Sequence, residues 1–282
     1  MQSSSSSASN TNSVAMGVAL TFVLDGPIED MMADVVATIP LTARRLVARG
    51  IGLQRVSAFP QWIVEADLSG NALVTLHGLA SSPSGEESQL ESLDVSYNAL
   101  TNLAGLPLRV RNLRASRNKI STLADLAGHT SLVNLGISCN HLSNMIGCPP
   151  QVRSMVCTNN FLVSWQGFPA APMDKLYASY NSIRDMQGAP NVLNFDCSAN
   201  LITSLVGCPE GVIEFNASNN ALTSPDGCPA SAQIVRLSGN RISSIDRAWS
   251  NQVRLIEATK NPIINHNRNI ASLASIPEVF ID

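Results

Sequence analysis

The sequence predicts a solenoid of short, stacked strands, and three periodic features predict it. The first is an asparagine that returns as Asn71, Asn98, Asn118, Asn140, Asn160, Asn181, Asn200, Asn220, Asn240 and Asn261, at intervals of 27, 20, 22, 20, 21, 19, 20, 20 and 21 residues. The second is an apolar alternation five and three residues before that anchor, as in Leu93 and Val95, Leu113 and Ala115, Leu135 and Ile137, Phe195 and Cys197, and Val235 and Leu237. Period two is the mark of a short strand with one buried face. The third is a Gly-apolar-Pro phrase that closes many units, at 105–107, 147–149, 167–169, 188–190, 207–209 and 227–229. Glycine and proline there stop regular structure and turn the chain toward the next strand.

Each repeat also places Leu or Ile two residues after the anchor, from Leu73 and Leu100 to Ile242 and Ile263. No single repeat can bury such a face, but neighbours stacked in register can. The anchor asparagine is expected to turn inward, where its amide donor and acceptor both meet loop backbone groups.

The phrases "LESLDVSYNAL" (90–100), "LVNLGISCNHL" (132–142) and, degraded, "VLNFDCSANLI" (192–202) resemble the leucine-rich repeat. The resemblance covers roughly residues 42–264, about eleven units. It implies an α/β-class, right-handed horseshoe with parallel strands on the concave face. Units this short leave room only for extended or 3₁₀ segments on the convex side, as in the short-repeat bacterial effectors that the sequence is similar to.

The ends are read separately. Residues 1–13, "MQSSSSSASNTNS", are low in complexity and are expected to be a disordered tail. Residues 14–24, "VAMGVALTFVL", are too short to span a bilayer and suit either a buried strand or a signal-peptide core. Ile28, Met31, Met32, Val35, Val36 and Ile39 share one helical face, which predicts a capping helix over 27–39. Residues 42–60 make a first repeat with Ile51 at the anchor position, and 265–282, with Ile270, Leu273 and Ile276, form a C-terminal cap. The insertion at 80–89, "ASSPSGEESQ", explains the 27-residue interval and is expected to loop out.

Composition narrows the function. The chain is 45% hydrophobic and only 14% charged, with eighteen Lys and Arg against twenty-one Asp and Glu. A net charge of −3 disfavours nucleic acid as a partner. The four histidines, His77, His129, His141 and His266, stand singly, without metal-ligand or triad spacing. Cys157 and Cys197 fall in the core register, while Cys148, Cys208 and Cys228 fall in the Gly-apolar-Pro phrase, where other repeats carry Phe168, Ala189 and Leu106. They are read as small buried hydrophobes, with a Cys208–Cys228 bridge as the minor alternative. No catalytic residue, metal or cofactor is implied.

Two outward columns bear on function. Two residues before each anchor runs a hydroxyl ladder, Ser69, Ser96, Ser116, Ser138, Thr158, Ser179, Ser198, Ser218, Ser238 and Thr259, read as structural, its stacked hydroxyls bonding one another and capping the strands, ahead of ligand recognition. Four before it, Asp94 stands beside Arg114 and Arg236 beside Glu257 as candidate ion pairs. Lys175, Tyr177 and Tyr180, with Val156, Asp196 and Arg114, are the candidate binding residues of the concave face. The basic run at 109–119 is read as a solvated face that could meet an acidic partner. The resulting expectation is a monomeric, non-catalytic protein-binding module with no transmembrane segment, cytoplasmic or alternatively secreted. The resemblance also admits the sensing region of a receptor-like kinase, or an effector whose catalytic domain lies outside these residues.

Overall fold

The computed structural model describes residues 20–80, 87–264 and 271–282. The sequence readings of the tail at 1–13, of residues 14–19, of His266 and Ile270, and of most of the 80–89 insertion therefore lie outside the described residues. The chain divides into two compact segments, Met1–Asn140 and His141–Asp282. Each is a parallel β-solenoid, with one short strand per coil.

In the N-terminal segment the strands are β1 (Thr21–Val23), β2 (Asp30–Met31), β3 (Arg45–Val47), β4 (Arg55–Val56), β5 (Glu65–Asp67), β6 (Ser92–Asp94), β7 (Asn112–Arg114) and β8 (Asn134–Gly136). The main sheet runs β1-β3-β5-β6-β7-β8, and β2 and β4 pair separately. In the C-terminal segment the order follows the chain: β9 (Ser154–Val156), β10 (Met173–Tyr177), β11 (Val192–Asp196), β12 (Glu214–Asn216), β13 (Ile234–Arg236), β14 (Leu255–Glu257) and β15 (Glu278–Phe280). Between strands the chain runs extended or through single 3₁₀ turns such as His77–Leu79 and Ala124–Leu126.

Register explains the core. Leu46 pairs with Ala66, Ala66 with Leu93, and Leu93 with Leu113, so the residue five before each anchor stacks on its equivalent in the next coil. These side chains, and the Leu or Ile two after each anchor from Leu73 to Ile242, are almost completely buried, while Ile263 at the last anchor is half-buried. In the C-terminal segment Phe195 and Phe215 occupy the five-before column, and Trp165, from the loop after Asn160, packs on Phe195; the rings meet edge-on or tilted at 5.2 and 6.0 Å between centres, geometries that aromatic quadrupoles favour.

Each asparagine joins two coils. The Oδ1 of Asn118 accepts the N–H of Leu100 in the preceding coil at 3.0 Å. Its Nδ2 donates to Val95 O of that coil at 3.0 Å and to Ala115 O of its own at 3.1 Å. Asn140, Asn200, Asn220, Asn240 and Asn261 repeat this triple contact. The residue immediately before the anchor is left-handed, with φ of 52–58° at Tyr97, Arg117, Cys139, Asn159, Tyr180, Ala199, Asn219 and Lys260. Such backbone costs about 1–2 kcal/mol for an L-residue, and the amide contacts behind it hold it in place. On the opposite side, Gly167 has φ of +83°, and a Cβ there would lie 2.2 Å from Ile146 N. Here both conformation and space require glycine.

The ends differ from expectation in physical detail. The helix expected over 27–39 is confined to Ala33–Ala37 and buries none of its residues. Met31 instead lies in β2, paired with Val56 and fully buried, while Met32 is exposed. The Asp30 carboxylate anchors that pairing through Arg55 Nε at 2.6 Å and Ser57 Oγ at 2.7 Å. A helix across 30–31 would forfeit these contacts between coils, and the β-branched Val35 and Val36 add little helix preference. The sheet also extends beyond residues 42 and 264. Phe22 of β1 aligns with Leu46, and Val279 of β15 aligns with Ile256. Residues 21–23 thus take the strand conformation, and Asp282 supplies a carboxylate to the Lys260 N–H.

Replacing Asn200 by Ala removes its amide bonds to Ile183 N, Ala178 O and Cys197 O. The loss is expected to lower stability by about 1–3 kcal/mol, the cost of orphaned buried polar groups. Urea unfolding of Asn200→Ala beside the parent chain checks this, and coincident transitions would contradict it.

Candidate interaction surface

Because residue five before the anchor points into the core, those at four and six before it point out from the same strand. In the C-terminal segment this produces two rows. Tyr177 is in register with Val156 on one side and Asp196 on the other, and Lys175 with Ser154 and Asn194. The rows continue through Asn216, Arg236 and Glu257, and through Glu214 and Ile234.

Of the candidate residues, Lys175, Tyr177, Val156 and Asp196 are brought to neighbouring positions on three adjacent strands. Tyr177 and Val156 are each 37% exposed. Tyr180 lies elsewhere: it occupies the left-handed turn just before Asn181, with φ of 55° and 65% exposure. Arg114 belongs to β7 of the N-terminal segment.

Four polar residues that the sequence reading did not single out together, Asn194, Glu214, Asn216 and Arg236, line a shallow depression of about 90 Å³ with Tyr177 and Asp196. Sites for small organic ligands are typically about 300–1,000 Å³ and largely enclosed. Their common place in the four-before and six-before columns was the signal that could have found them.

The polar columns are partly structural. Asp196 Oδ1 accepts the N–H of Ser198 at 2.9 Å, and Asp94, Asn216 and Asp67 do the same for Ser96, Ser218 and Ser69. Burial pushes the Asp67 carboxyl upward, but hydrogen bonds from Ser69 and Arg49 prevail and hold it below the usual range. Arg236 Nε meets Glu257 Oε2 at 3.1 Å, the expected ion pair. Asp94 and Arg114 are in register but form none, because the Asp94 carboxylate turns back to Ser96. The hydroxyl ladder has lateral contacts at Thr158–Ser179, 3.3 Å, and Thr259–Ser238, 3.1 Å.

All six cysteines are unbridged, with Cys157, Cys197 and Cys228 buried. Burial pushes the Cys148 and Cys228 thiols up to about 12, and raises Cys157, Cys197 and Cys208 as well. Such thiols are protonated and weakly nucleophilic near neutrality. Among the described residues, no group of three or more His, Cys, Asp and Glu side chains is placed to hold a metal ion. Among them, too, no helix is long and apolar enough to cross a membrane.

No protein-family model matches the sequence, and no curated protein matches it significantly. Solved structures do match the fold. The APL1 leucine-rich repeat domain aligns with a TM-score of 0.72 and 18% identity over 91% of this chain and 72% of that one. A chain of the LRIM1/APL1C complex aligns with a TM-score of 0.72 and 17% identity over 91% of this chain, which spans about half (51%) of its length. The internalin InlF of Listeria monocytogenes aligns with a TM-score of 0.60 and 16% identity over 88% of both chains. The fold is that of the leucine-rich repeat proteins.

The thiol arrangement makes a direct prediction. At pH 7.5 a disulfide-exchange reagent is expected to label the buried Cys157, Cys197 and Cys228 only as the chain unfolds. Fast labelling of any of these three in the native protein would contradict it.

Proposed function

We propose that this chain is a non-catalytic protein-binding module whose partner rests on the outward strand rows around Tyr177. The observation that carries the reading is the form of the surface. Tyr177, Val156 and Lys175 stand on adjacent strands beside a depression of about 90 Å³. This is too small and open to enclose a metabolite, yet a rigid strand face suits a second protein. An aromatic side chain fixed on a sheet loses little conformational freedom on binding, which is why such residues dominate protein interfaces. The fold likeness to a chain of the LRIM1/APL1C complex, itself an assembly of two proteins by its description, supports the same class of function.

Affinity capture with the parent chain, with Lys175→Ala/Tyr177→Ala, and with Tyr180→Ala tests the reading, with retained proteins identified by mass spectrometry. The double variant is expected to weaken capture of one specific protein at least about tenfold, the scale of a lost interface anchor. Equal capture by the parent and the double variant would overturn it.

A further inference from the structure

We infer that the coil at 109–119 is a docking strip for an extended acidic peptide segment. This statement of partner chemistry rests on the protein-binding reading above. Within eleven residues, "RVRNLRASRNK" carries Arg109, Arg111, Arg114, Arg117 and Lys119 and no acid, although the whole chain is net negative at −3. All five side chains are exposed.

None of the five forms an ion pair with any described residue. Elsewhere in the N-terminal segment, arginines do: Arg45 meets Glu65 at 3.6 Å, Arg55 meets Asp30 at 2.6 Å, and Arg49 meets Asp67. In the basic coil the nearest carboxylate in register, Asp94, is engaged by the Ser96 N–H. Arg109 reaches only the neutral Gln89 Oε1 at 3.3 Å. Arg117 stands over the exposed Tyr97 ring, its guanidinium carbon 5.1 Å from the ring centre. That contact restrains the cation without neutralising it.

The surroundings decide the shape of the ligand. The following strand and turn, Ser131–Asn140, carry no charge, and Gly136 in register with Arg114 has no side chain. The immediately preceding coil carries Glu91 and Asp94, and further back the cations Arg45 and Arg49 are already paired with Glu65 and Asp67. The positive field is therefore confined to one coil, about 4.8 Å wide. An extended peptide fits that width and offers a carboxylate at every second residue, about 7 Å apart. Arginine accepts carboxylates through paired N–H groups. A nucleic-acid duplex or a lipid headgroup layer is broader and would lay phosphates over the upstream acids, which repel them. Because a single exposed pair contributes little, binding must be multivalent and salt-sensitive.

The test uses the full chain and a fluorescein-labelled octapeptide of alternating Glu and Ser, read by fluorescence anisotropy at 20 and 200 mM NaCl. An alternating Lys and Ser octapeptide and octa-uridylate serve as comparison probes. Saturable binding of the Glu peptide is expected, weakened at least tenfold in Arg111→Ser/Arg114→Ser and again at the higher salt. It should be unchanged in Lys175→Ala/Tyr177→Ala, with both variants shown to be folded by circular dichroism. Absence of saturation at 20 mM NaCl, undiminished binding by the arginine variant, or equal or tighter binding of octa-uridylate would overturn the inference. If the Tyr177 variant still loses its captured protein while the Glu peptide fails to bind, only the acidic-peptide inference falls. The reverse pattern removes the Tyr177 reading and leaves the basic strip.

Discussion

The side-chain amide of the recurring asparagine is the interaction on which the rest of the molecule depends. A strand of three residues cannot hold itself together, and the backbone groups where it turns away from the sheet have no strand partner. In the coil of Asn118, one amide closes both gaps: it accepts Leu100 N–H and donates to Val95 O and Ala115 O. Two successive coils are thereby tied at the point where each turns, and the distance between them is set to that of neighbouring strands. The leucine and isoleucine columns then stack because the amides have placed them in register.

That constraint also separates structure from function within each coil. Positions that face inward take apolar side chains, from Ala and Cys to Leu and Phe, and the residue before the asparagine is limited by its left-handed backbone. Positions four and six before it point away from the core and vary widely in side chain, although Asp67 is itself covered by its contacts to Ser69 and Arg49. One scaffold therefore presents Tyr177, Lys175 and Val156 in its C-terminal segment and an acid-free basic coil in its N-terminal segment, with no change in core geometry. The same separation explains why the cysteines are chemically quiet. Cys157 and Cys197 occupy inward positions, and their thiols are held protonated by burial.

Much of this was legible in the sequence because the repeat writes its constraints at fixed spacing. The asparagines, the alternating apolar positions before them and the Gly-apolar-Pro phrases are each required by a local physical need, so they recur. The end coils were less legible because they lack the anchor. β1 and β15 join the sheet by register alone, with Phe22 against Leu46 and Val279 against Ile256. Helical periodicity over 27–39 misled for a related reason: Met31 is buried as a strand residue paired with Val56, a contact invisible to a local pattern. At the surface, column position identified Asp94 and Arg114 as neighbours, but not the choice of the Asp94 carboxylate to bond Ser96 N–H instead. Spacing shows which side chains are adjacent, and competition among hydrogen-bond partners decides which of them interact. Tyr180 marks another limit of spacing: β10 ends at Tyr177, and Tyr180 itself takes the left-handed turn that follows.

Native-state hydrogen exchange followed residue by residue by NMR tests the central claim most directly. The Ile183 amide lies outside any strand and has the Asn200 Oδ1 as its acceptor at 3.1 Å, while the equivalent Ile120 amide is held by Asn140 at 2.9 Å. Both amides are predicted to be protected in the parent chain, and Asn200→Ala is predicted to release Ile183 while leaving Ile120 protected. Fast exchange of both in the parent chain, or undiminished protection of Ile183 in the variant, would contradict the claim that the asparagine amides hold the coils together.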